Sequence, residues 1–150
     1  MDKQFLEPID LLNIASQHAY CAEYLLRENA EIQTPKNWSV DALLPVISLI
    51  HVAFELTLKA FLLHEGHVFK QYKSLSELIE MNSKLGFSKV ELNLLKTLSR
   101  QLAFHKAVDY VLWENRQQLQ VFCEEIISLY ARLQDMMPLE LQSDYIEAVK

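Results

Sequence analysis

Apolar side chains recur every three to four positions near the start of the chain, at Ile9, Leu12, Ile14, Ala15, Ala19, Ala22, Leu25 and Leu26. That spacing lines one face of a helix and predicts a first helix over residues 9–29. Between residues 30 and 38 the period is lost, with Pro35 and Asn37 in the gap, so a connecting loop is expected there. From Ser39 to Glu65 the chain is almost continuously apolar, interrupted by Ser48, His51, Glu55, Thr57, Lys59 and His64. A helix this apolar on all sides belongs at the centre of a fold, and Gly66 is placed to end it. Pro45 leaves two options at its start: the helix begins later than Ser39, or it kinks at the proline.

Two capping boxes mark further starts. In Ser74-Leu-Ser-Glu77 and Ser88-Lys-Val-Glu91 a hydroxyl and a Glu three residues on can satisfy each other's backbone donors. The first should open a short helix that ends at Gly86. The second should open a helix running through Leu92, Leu95, Leu98 and Leu102 toward Arg100 and His105. A last helix is predicted from about Asn115 to Met136, periodic through Leu119, Phe122, Ile126, Leu129, Tyr130 and Leu133, with Pro138 stopping it. Residues 139–150 then form a loosely packed tail. The expected architecture is all-α: one domain over residues 1–150, an up-and-down bundle of four long helices plus a short one.

Composition agrees with this and removes several alternatives. Two glycines in 150 residues leave little of the punctuation that hairpins, barrels and phosphate-cradling loops need. Accordingly there is no P-loop, GxGxxG, GxSxG, HExxH or DxDxDG. None of the five histidines lies three residues after a Glu, as a carboxylate-bridged two-metal bundle requires. Neither a metal nor a cofactor is therefore expected. Cys21 and Cys123 fit no zinc-ligand spacing and read as two reduced thiols, buried or half-buried. No run of about 18 uncharged apolar residues and no signal-peptide pattern is present, so a cytoplasmic protein with no membrane contact is expected.

Charge changes the picture locally. The net charge is -6, yet residues 84–106 hold Lys84, Lys89, Lys96, Arg100 and Lys106 against Glu91 alone. Residues 1–83 carry six basic against eleven acidic groups, and residues 107–150 three against eight. A basic island in an acidic chain can receive a phosphate-bearing ligand, such as RNA or a nucleotide, or can be a solvated helix face. Within it, Arg100-Gln-Leu-Ala-Phe-His105 joins a permanent cation to the one side-chain type that titrates near pH 7. That pairing suits RNA cleavage without a metal: a neutral His takes the 2′-hydroxyl proton while a guanidinium stabilises charge growing on the phosphate oxygens. On an ideal helix, residues five apart sit about 140° from one another around the axis. Either the helix is interrupted after Arg100, or a second chain completes the site across a two-fold axis. His51 and Glu55 share a face of the central helix and read as a buried structural contact, and His18 likewise as structural.

Two stretches resemble the HEPN family: Glu55-Leu-Thr-Leu-Lys59-Ala-Phe-Leu-Leu-His-Glu-Gly66, followed by Tyr72-Lys-Ser-Leu-Ser-Glu-Leu-Ile79, and Arg100-Gln-Leu-Ala-Phe-His105. Taken together the likeness spans roughly residues 9–135. It implies a helical bundle that forms homodimers, with Arg and His of both chains in one composite, metal-independent ribonuclease site, and a role in toxin–antitoxin systems or defence. Carried over, Arg100 binds and stabilises the phosphate and His105 acts as general base or acid. Gln101 stands where many members have Asn, and Lys96, Gln101 and Lys106 would contact the RNA. A nucleotidyltransferase-type antitoxin is the partner such a domain often has. Two departures bear on that subclass: Lys73-Ser74 replaces the usual His-Asp, and Ala107 stands where the toxin branch carries a Tyr that its partner modifies. The alternatives are a non-catalytic HEPN-like module that binds nucleotides or proteins, and a regulatory bundle unrelated to nucleic acid. The last requires the basic residues to be scattered around the surface.

Overall fold

The computed structural model describes residues 7–28, 31–33, 39–41, 43–66, 74–82, 85–103, 116–139 and 141–142. In chain order these form α1 (Pro8–Glu28), β1 (Glu31–Gln33), β2 (Ser39–Asp41), α2 (Leu43–His64), α3 (Leu75–Met81), α4 (Lys89–Ala103) and α5 (Arg116–Met136). The protein is all-α in class, with one small ribbon added. β1 and β2 pair antiparallel, Ile32 opposite Val40, so the segment expected to be a plain loop carries a two-stranded link. Strands of three residues joined through backbone groups are too short for an apolar alternation to show in sequence.

The central helix is the one the pattern names. α2 packs against α1, α3, α4 and α5, most extensively against α1. It begins at Leu43, beyond the ribbon, which puts Pro45 in its first turn. There a missing N–H costs nothing, so the later start is the option taken. Leu43, Val46, Ile47, Ile50, Phe54, Leu58 and Leu62 are all buried, each side chain worth roughly 1.5–3 kcal/mol in apolar transfer. Among the described helices α2 alone is long and apolar enough to cross a membrane by length and composition. That apolarity is taken up here by the helices around it. Gly66, at φ 88°, ends the helix in the left-handed conformation expected of it.

α5 runs in the same direction as α2. The contacts climb together along both helices: Cys123 Sγ to the Leu43 carbonyl at 3.8 Å, then Tyr130 and Gln134 to Thr57. Phe54 meets the Tyr130 ring edge-on, with centroids 5.2 Å apart. Both capping boxes open helices as expected. Ser74 Oγ accepts from Glu77 N–H at 3.3 Å, while Ser88 and Glu91 bond reciprocally at 2.8 and 3.2 Å.

Two expectations need correction. α3 stops at Met81, short of Gly86, because the Asn82 N–H bonds back to the Ile79 and Leu78 carbonyls and its buried side-chain amide also donates to Leu78. A side chain that caps its own helix competes with the glycine signal four residues later. Cys21 is exposed, and only Cys123 is buried; both are free thiols. Just beyond Pro138, Leu139 is exposed, Leu141 is buried, and the Gln142 amide donates to the Asp135 and Met137 carbonyls; residues 140 and 143–150 of the expected tail lie outside the described residues.

Candidate functional site

α4 is two-sided. Leu95 and Leu98 are fully buried, with Glu91 half-buried on the same side. At 100° per residue, Lys89, Asn93, Lys96 and Arg100 fall at i, i+4, i+7 and i+11, within about 60° of one another and opposite that core face. All four are exposed. They form a stripe about 16 Å long, at 1.5 Å per residue. Among the described residues none of its three cations has an ion-pair partner. Glu91, the lone acid of the basic island, is turned away from the stripe. Its Oε1 caps Ser88 N–H, and its Oε2 meets Arg132 Nε of α5 at 3.0 Å. The stripe therefore keeps its positive charge. Three cations on one helix face concentrate positive charge locally in an otherwise acidic chain.

Of the residues singled out in sequence, Lys96 and Arg100 lie on this stripe one turn apart, and Gln101 follows in the same helix. Arg100 stands in the last turn of α4, where the helix dipole also favours a cation. His105 and Lys106 fall outside the described residues. The Arg100–His105 pair is thus located at its Arg100 end alone. Lys89 and Asn93 extend the stripe beyond what the Arg-x4-His motif marks, and their signal was the spacing to Lys96 and Arg100: seven and eleven residues from Lys89, three and seven from Asn93.

A cleft adjoins the stripe. It has a volume of about 460 Å³, between α3, the turn at Gly86 and α4, and is lined by Ser76, Ile79, Glu80, Gly86, Phe87, Leu92 and Lys96. Ser76 and Ser99 hydrogen-bond across it at 3.0 Å, fixing the spacing of the two helices at one end. Its apolar wall is Ile79, Phe87 and Leu92, and its polar rim is Glu80 and Lys96. Lys96 belongs to the cleft and the stripe at once. No motif in the sequence announces this cleft, because its residues are gathered from two helices and a turn.

The other titratable pair sits in the core. His51 Nδ1 lies 2.9 Å from Glu55 Oε1, with 6% and 8% of the two residues exposed. The ring nitrogen makes no aligned hydrogen bond. The four-residue spacing along one helix brings the groups side by side without turning the N–H onto the carboxylate. At that depth the pair has no access to a large solvated ligand. His18 Nδ1 contacts the Ile14 carbonyl at 2.9 Å on its own helix. Among the described residues no group of three or more His, Cys, Asp or Glu side chains gathers to hold a metal ion. Set against protein-family models, curated proteins and solved structures, the chain matches none of them.

Proposed function

We propose that the protein is an RNA-binding helical bundle of the HEPN type and cleaves RNA without a metal at a composite site built by a homodimer. The observation that carries this reading is the unneutralised stripe Lys89, Lys96 and Arg100 on the solvent face of α4. A regulatory bundle with no nucleic-acid ligand has no need of it, and would scatter these charges. In the proposed site the stripe holds the phosphate backbone, and Arg100 stabilises the oxygens of the scissile phosphate.

His105 takes the proton from the 2′-hydroxyl as that oxygen attacks phosphorus. The bond from phosphorus to the 5′-oxygen breaks, and the imidazolium returns a proton to the leaving oxygen. The products are a 2′,3′-cyclic phosphate and a 5′-hydroxyl. Lys106 and Gln101 would add contacts to the same RNA strand. A helix that continued to His105 would turn it about 140° from Arg100, which is why the second copy is invoked. The cytoplasmic location expected from the sequence belongs to the same proposal. A toxin or defence role, with or without an antitoxin partner, follows from the family likeness alone.

The test uses purified protein and a panel of single-stranded RNAs. Arg100→Ala and His105→Ala each abolish cleavage while the dimer persists in sedimentation. Unchanged cleavage in both variants refutes the catalytic assignment. RNA bound through the stripe but never cut selects the non-catalytic module instead.

A further inference from the structure

We propose that the cleft between α3 and α4 is a nucleobase subsite with a preference for guanine. The inference rests on reading the α4 stripe as a phosphate-binding face, and it names what lies beside the phosphate.

The cleft has the construction of a small-ligand site. Its volume of about 460 Å³ falls in the usual range of roughly 300–1,000 Å³. Phe87 and Leu92 are half-buried, so an apolar surface lies open beside Lys96. The edge at Gly86 is clear as well, since nothing stands within 4 Å of where a Cβ would lie. An aromatic ring flanked by aliphatic side chains is the surface on which an unpaired base stacks. Lys96 joins the cleft to the stripe, and Arg100 follows one turn later, about 6 Å along the axis. A nucleotide with its base against Phe87 can therefore place its phosphate on cations already described.

Glu80 sets the preference. It is exposed on α3 at the cleft rim, and among the described residues it has no hydrogen-bond or ion-pair partner. A carboxylate offers two acceptor oxygens side by side and no donor. Guanine presents two adjacent N–H donors on its Watson–Crick edge, at N1 and N2. Adenine and cytosine present one amino donor beside an acceptor nitrogen that a carboxylate repels, and uracil presents one N–H between two carbonyls. Two parallel charge-assisted bonds thus distinguish guanine from the other three.

Binding of GMP, AMP, CMP, UMP, guanosine and ribose 5-phosphate to the full chain, measured by isothermal titration calorimetry, tests the assignment. GMP should bind at least tenfold tighter than AMP and ribose 5-phosphate, and guanosine should displace it. Glu80→Gln should bring GMP and AMP within twofold of each other. Phe87→Leu, which keeps an apolar wall but removes the stacking ring, should weaken all four nucleotides and leave ribose 5-phosphate unchanged; circular dichroism confirms that it folds. Equal affinity for GMP and ribose 5-phosphate overturns the base subsite while leaving the phosphate stripe intact. An unaltered preference in Glu80→Gln, AMP bound as well as GMP, or no nucleotide bound at all also overturns it. Guanosine and GMP held through Glu80 and Phe87 by a protein that neither binds nor cuts RNA would support the subsite and sink the ribonuclease reading.

Discussion

Thr57→Val probes the joint between the two core helices. Thr57 is fully buried, Tyr130 is 2% exposed and Gln134 is 3% exposed. Thr57 Oγ1 is 2.9 Å from Tyr130 Oη and accepts from Gln134 Nε2 at 3.3 Å. Valine keeps the shape and the β-branching, so packing and helix propensity stay nearly constant. What is lost is one hydroxyl shared by two partners. Losing the hydroxyl breaks both buried contacts at about 1–3 kcal/mol each, and the added methyl returns a part of that total, so the net loss should be about 2–3 kcal/mol. Tyr130→Phe is the contrast. It keeps the edge-on contact with Phe54 and leaves the Thr57 hydroxyl bonded to Gln134, so about 1 kcal/mol is expected. For a chain of this size each kcal/mol lowers Tm by about 2–4 °C, so the two variants separate in thermal melts followed by circular dichroism. Urea denaturation of both single variants and the double closes the cycle, in which the double should cost about 1 kcal/mol less than the sum. A Thr57→Val protein no less stable than Tyr130→Phe, or a strictly additive double, would refute the claim that the hydroxyl bridges the helices.

Other consequences are measured more simply. Ser88→Ala removes the hydroxyl that accepts from Glu91 N–H at the start of α4 and should cost about 1 kcal/mol in urea unfolding; a loss under about 0.3 kcal/mol would mean the cap is idle. Cys21 should react with a thiol reagent in the native protein while Cys123, buried against α2, waits for denaturant; two equally fast thiols would contradict the packing of α5. Lys89→Glu and Lys96→Glu, both on the exposed stripe, should each weaken single-stranded RNA binding whatever its sequence and lower the log–log salt slope by about 0.7 or more, with Tm unchanged. A salt slope that does not move would take the stripe out of the phosphate-binding role.

The sequence by itself determined the helices. Their periods, the two Ser-x-x-Glu boxes and the stop at Gly66 are local signals, written in residues three or four apart, and the all-α class follows from them. The asymmetry of α4 was legible for the same reason, because 100° per residue converts spacing directly into direction. The ribbon after α1 and the early end of α3 were not legible, since each depends on backbone and amide hydrogen bonds that leave no apolar period. Tertiary structure alone decided that Glu91 turns to Arg132 and leaves the stripe positive. It alone joined Thr57 to Tyr130 and Gln134 across more than seventy residues, and set Glu80 and Phe87 beside Lys96. Those contacts lie between different elements, where no local period constrains which side chains meet.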